Sequence, residues 1–150
     1  FTSYKSMSKD WVKSVLPTIS SIQCILTFLL ALFQGQWKFI GGYDIGALVI
    51  GIIASLAWWK LKKSDKDKSK ASTVANLMLQ LGITVGFIPT FQSVWIQPQS
   101  ENVYCWFIWT ISFLTQTIVV ILRWKGQKQD LVYPVNCLWL HLVVALLALR

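Results

Sequence analysis

"GFIPTFQSVWIQPQSENVYCWFIWT", residues 86–110, sets a proline inside one apolar run and two tryptophans inside the next. A short polar stretch separates the runs and holds one acid, Glu101, and no base. Upstream the first run reaches back to residue 73, and downstream the second continues to residue 123. Three further apolar runs cover 11–33, 43–61 and 131–149. Each reaches about the 20 residues an α-helix needs to cross a hydrocarbon core of ~30 Å. Apolar residues make up 55% of the chain, above the range of soluble domains. So little polar sequence could not cover five buried helices in water. The expected fold is an all-α polytopic membrane protein with five transmembrane helices in a single transmembrane domain.

The charges follow the same division. "KLKKSDKDKSK" (60–70) carries six lysines between the second and third runs. Lys5, Lys9 and Lys13 precede the first run, and Arg123, Lys125 and Lys128 separate the fourth from the fifth. With five crossings, twelve of the fourteen basic residues fall on one face, leaving Lys38 and Arg150 on the other. The positive-inside bias then puts the N-terminal segment and the lysine loop in the cytoplasm and the C-terminus outside.

A net charge of +8 also suits a nucleic-acid binder. Here, however, the bases sit at helix ends, where lysine and arginine reach anionic headgroups, and Asp65 and Asp67 interrupt the lysine run. The bilayer, not nucleic acid, is the expected partner. Cys24, Cys105 and Cys137 form no CxxC pair, and a single histidine rules out a thiol–imidazole zinc site of the usual spacing. Their expected role is that of small buried hydrophobes. No GxSxG, HExxH or phosphate loop is present, and no cofactor or enzymatic activity is expected.

Two helices look like copies. "VLPTISSIQCILTFLLAL" (15–32) and "VYPVNCLWLHLVVALLAL" (132–149) share a proline at the third position and a Leu-Leu-Ala-Leu ending, at a constant offset of 117 residues. Both start on the same face, as parallel repeats about an axis along the membrane normal would. Gly82 and Gly86, in the run 73–96, form a small-xxx-small pair for close helix approach. Gly46, Gly51, Ala54 and Ser55 give the run 43–61 a close-packing face, and Asp44 is expected to cap its start. Pro89 frees the carbonyl of residue 85 and permits a bend, which either adjusts packing or serves as a hinge.

Gly86, Pro89 and Gln92, the turn through Pro98 and Glu101, and "WFIWT" (106–110) resemble the second triple-helix unit of the SWEET/PQ-loop superfamily. The pattern is nearer to bacterial seven-helix members than to true sugar facilitators, and a C-terminus outside suits an inverted relative such as the vitamin transporters of the PnuC type. The resemblance implies a 3+1+3 arrangement. In it, 11–33 is the last helix of a first bundle, 43–61 a linker helix and 73–149 the second bundle. Two helices would then precede Phe1. The PQ dipeptide is absent, since Thr90 follows Pro89. The resemblance also implies a gating hinge at Gly86, Pro89 and Gln92, and a substrate site lined by Trp106, Trp109, Asn136, His141 and Gln23.

The residues leave alternatives open at these positions. Trp106 and Trp109 share a helix face but lie within two turns of its outer end, where aromatic belts also form. His141, the one ionisable group near mid-membrane, is either functional or a neutral packing residue. Two functions fit. One is a facilitator that moves a small polar solute (vitamin-, nucleoside- or sugar-like) by alternating access across a bacterial inner membrane. The other is a non-catalytic integral membrane subunit of a larger complex. The expected partners are lipid, a small solute, and either a second copy or a membrane-complex protein.

Overall fold

The computed structural model describes residues 11–33, 41–61, 65–124, 126 and 129–150. Five α-helices follow in order: α1 (Val15–Phe33), α2 (Gly42–Leu61), α3 (Asp65–Ile96), α4 (Val103–Leu122) and α5 (Gln129–Ala148). Short 3-10 turns, Val12–Ser14 and Pro98–Ser100, precede α1 and α4. The described residues contain no strand.

Apolar runs and helices coincide closely except at α3. This helix starts at Asp65, eight residues ahead of the apolar run, so the lysine segment is largely helical rather than a loop. Lysine is a good helix former, and Asp65 and Asp67 stand near the helix start, where the macrodipole favours acids. Nothing in that sequence makes the helix stop at the edge of its apolar part. Lys5, Lys9, Lys38, Lys62, Lys63, Lys125 and Lys128, on which much of the charge asymmetry rests, lie outside the described residues.

The segment Lys70–Ile96 of α3, together with α4 and α5, is long and apolar enough to cross a membrane. Shorter apolar stretches, Val15–Leu26 and Ile45–Lys60, are described in α1 and α2. The distribution of side chains is that of an integral membrane protein. Ile22, Leu30, Leu48, Leu81, Ile118 and Leu146 are exposed, while Asn76, Gln80, Thr110, Gln116, Lys13 and Asp130 are buried. In water that arrangement would be costly twice over, in exposed apolar area and in desolvated polar groups.

α2 lies along α3, α3 along α5, and α5 along α4. The α2–α3 seam is close because Gly82 has no side chain. A Cβ there would meet Ile50 Cγ2 at 3.4 Å and the Ala47 carbonyl oxygen at 3.6 Å. Ala54 is fully buried, as expected of a packing face. Gly86 and Gly51 depart from expectation. A Cβ on either would have nothing within 4 Å, so neither mediates close approach. Residues 82 and 86 are one turn apart on the same face of α3, but only the first is in close contact with α2. Asp44 sits inside α2 rather than ahead of it, and the first backbone bond of the helix start runs from Ile45 N–H to the Gly41 carbonyl. Its side chain lies outside the described residues.

α1 meets the rest of the molecule chiefly at its start. There Lys13 and Asp130 form an ion pair in which both side chains are fully buried. Gln116 Nε2 donates to the Lys13 carbonyl oxygen at 2.7 Å, adding α4 to the same junction. Lys13 is therefore not a headgroup-reaching base, because a carboxylate 117 residues along the chain is close enough to hold it inside. At the other end, Asn102 caps α4 by accepting from Tyr104 N–H at 3.0 Å. Gly126 adopts a φ of 80°, in the left-handed region that glycine enters without a Cβ clash, in the turn before α5.

Candidate functional site

The polar turn that opens α4 places three residues at one end of a cavity of about 460 Å³ between α1 and helices α3, α4 and α5. Glu101, Asn102 and Cys105 stand at its mouth. Deeper, Trp106 and Trp109 project from one face of α4, and His141 and Cys137 from α5. Ser20, Gln23 and Cys24 of α1 form the facing wall, while Ile83 and Phe87 of α3 complete it.

His141 is the centre of an aromatic cluster. Its ring centroid lies 4.8 Å from Phe113, 5.1 Å from Phe87, 5.3 Å from Trp106 and 6.0 Å from Trp109. Trp109 and Phe113 stack at 5.8 Å, and Phe113 meets Tyr133 edge-on at 5.9 Å. Two hydrogen bonds hold the cluster. His141 Nδ1 lies 2.7 Å from the Cys137 carbonyl oxygen, and a carbonyl only accepts, so the hydrogen is on Nδ1. In the neutral ring, Nε2 is then left as an acceptor. Trp106 Nε1 donates to Glu101 Oε2 at 3.0 Å, which fixes the indole plane from the turn. The paired indoles thus both line the cavity. Their spacing of three residues puts both on the cavity face, and the Glu101 bond turns the first one inward.

A second cavity of about 400 Å³ neighbours the first on the side of the lysine-rich end. The two share Ser20, Cys24, Ile83 and Tyr133. Its further lining is mixed, with Ser21, Asn76 and Gln80 beside Pro17, Ile25 and Leu79. Side chains of α1 and α5 that are 117 residues apart line the first cavity together: Ser20 with Cys137, and Cys24 with His141. The Lys13–Asp130 pair has the same offset.

Several expected site residues lie elsewhere. Asn136 is bound between helices: its Nδ2 donates to Gln80 Oε1 at 3.2 Å and to Thr84 Oγ1 at 3.3 Å. It borders a shallow outer groove with Val132 and Trp139, not the aromatic cavity. Gln92 is exposed and lines another outer groove with Trp95 and Val143. Pro89 lies within α3, which remains helical through it. Neither Pro89 nor Gly86 lines the aromatic cavity. Gln23 does line it, as expected. All three cysteines line the first cavity, but Cys24 and Cys105 are exposed and only Cys137 is buried, so the expected role of buried hydrophobe fits Cys137 alone. Sequence reasoning missed Tyr133, Phe87, Phe113 and the Lys13–Asp130 pair. The offset of 117 residues, extended two residues upstream of the matched segments, would have paired positions 13 and 130.

Among the described residues no group of three or more histidine, cysteine, aspartate or glutamate side chains is placed to hold a metal ion. Comparison with known proteins returns no matching family model, no similar curated protein and no similar solved structure.

Proposed function

We propose that the chain is a membrane transporter or facilitator for a small polar solute, working by alternating access. On this reading all five helices cross the bilayer, in a SWEET-like arrangement. α1 is the last helix of a first bundle, α2 the linker, and α3 to α5 the second bundle. The lysine-rich face is cytoplasmic and the C-terminus outside, in a bacterial inner membrane. One observation supports the reading: two neighbouring cavities share Ser20, Cys24, Ile83 and Tyr133 as lining and together border α1 from the Glu101 turn toward the lysine-rich end. On this reading they are two parts of one solute path, for which a packing subunit has no need. Its walls suit a ring-shaped solute, because indole and phenyl surfaces offer flat apolar contact while Nε2 of His141 and the Gln23 amide supply directed hydrogen bonds.

The test is uptake into vesicles containing the purified protein, over a panel of vitamins, nucleosides and sugars. Saturable uptake of one class, abolished by Trp106→Ala, is expected. Native mass spectrometry of the gently extracted protein separates the competing reading. A homogeneous carrier with a bound small mass supports transport, whereas a stoichiometric hetero-complex without solute binding assigns the chain to the subunits.

A further inference from the structure

Neither partner of the buried ion pair at the lysine-rich end lines either of the two cavities described above. Its position has another consequence. Lys13 and Asp130 occupy equivalent places just upstream of the two repeated segments, four residues ahead of Pro17 and Pro134. They meet where α1 and α5 converge, with Gln116 of α4 holding the Lys13 carbonyl. Among the described residues toward the lysine-rich end, Ala71 and Ser72 on α3, Val120 on α4 and both members of the pair are fully buried. The opposite end is open, for Asn102, Cys105, Gln23 and Cys24 are exposed and border the cavity. α1 is thus fastened at one end and stands off at the other.

We propose that the Lys13–Asp130 pair, with its Gln116 bond, is a latch that closes the solute path at the lysine-rich face, and that α1 must part from α5 there for the path to open to that side. The inference rests on the transport reading for its purpose but not for its test. An ion pair suits a latch physically. In a dry junction it is strong and geometrically selective, yet once water enters, both charges are solvated and their separation costs little. A purely apolar contact would lack that two-state character. The repeat relation gives the latch a natural axis, because equivalent positions of two parallel repeats can touch only near the axis that relates them.

Cys24 is a native reporter, since it lines both cavities. In a Cys105→Ser background, a membrane-impermeant thiol reagent is added from either face of vesicles of known orientation. The parent protein should label at Cys24 from the face of the Glu101 turn and barely from the lysine-rich face. Lys13→Met should raise labelling from the lysine-rich face by about tenfold, the population change expected when one state loses a strong contact. Exchanging the charges, Lys13→Asp with Asp130→Lys, should return it toward the parent rate. Unchanged labelling in a folded Lys13→Met protein overturns the latch, as does a charge-exchanged protein that labels like the single variant. Should Lys13→Met not accumulate, Gln116→Leu carries the test. It removes only the bond to the Lys13 carbonyl and should raise lysine-side labelling about threefold, and no rise again overturns the proposal. Labelling that responds as expected in a protein with no uptake of any solute keeps the latch and removes the transporter. Uptake with unresponsive labelling does the reverse.

Discussion

At the scale of single residues, the site depends on a few directed hydrogen bonds. Glu101 orients Trp106 across the open end of the cavity. Glu101→Gln keeps the size and an acceptor oxygen but loses the charge, and a bond to a charged group is worth about 1.5–3 kcal/mol. Solute affinity should fall by roughly tenfold or less, measured by quenching of tryptophan fluorescence, whereas Trp106→Ala should abolish it. Asn136 calls for a different expectation, because its amide is spent on Gln80 and Thr84. Asn136→Ala should lower thermal stability by about 1 kcal/mol, the usual worth of an interhelical hydrogen bond in a membrane. Affinity for solute should be unchanged. A loss of affinity at full stability would return Asn136 to the binding wall.

At the scale of helices, two glycines one turn apart on α3 should behave oppositely. Gly82→Leu would drive a side chain into Ile50 and the Ala47 carbonyl and part α2 from α3. Overpacking of this kind costs about 1–3 kcal/mol, read as a lower unfolding temperature in detergent. Gly86→Ala meets open space and should be tolerated. Pro89 breaks one backbone bond within a continuous helix whose Phe87, half a turn earlier, touches His141 and Trp106. Pro89→Ala should restore the bond to the carbonyl of residue 85, leaving the fold intact and slowing uptake. Normal uptake by that variant would reduce Pro89 to a packing feature.

At the scale of the whole molecule, the notable division is between a packed unit, α2 to α5, and α1, which is tied to it mainly around Lys13. That tie is expensive to break from one side. Lys13→Met takes from the buried Asp130 its ion-pair partner, and the loss should be about 3–5 kcal/mol by thermal unfolding. Replacing both partners, Lys13→Met with Asp130→Leu, should recover most of it, because no charge then remains to be desolvated. A single variant as stable as the parent would mean that the junction is hydrated.

How much of this is legible in the sequence follows from the range of the interactions involved. Helix length and apolarity are local, so the five runs at 11–33, 43–61, 73–96, 103–123 and 131–149 mark the helices to within a few residues, except where charged residues continue α3 beyond its apolar part. The i, i+3 spacing likewise puts Trp106 and Trp109 on one face. Spacing alone does not say what that face meets. That Asn136 turns to α3 while His141 turns to the indoles depends on how α5 is seated between its neighbours. The pairing of Lys13 with Asp130 closes a loop of 117 residues and was visible only as a repeat offset. The sequence by itself determined helices and their apolar surfaces, because those obey contacts within a few residues. Tertiary structure alone decided which polar groups are consumed in packing and which line the cavity, because in a bilayer each must find its partner on another helix.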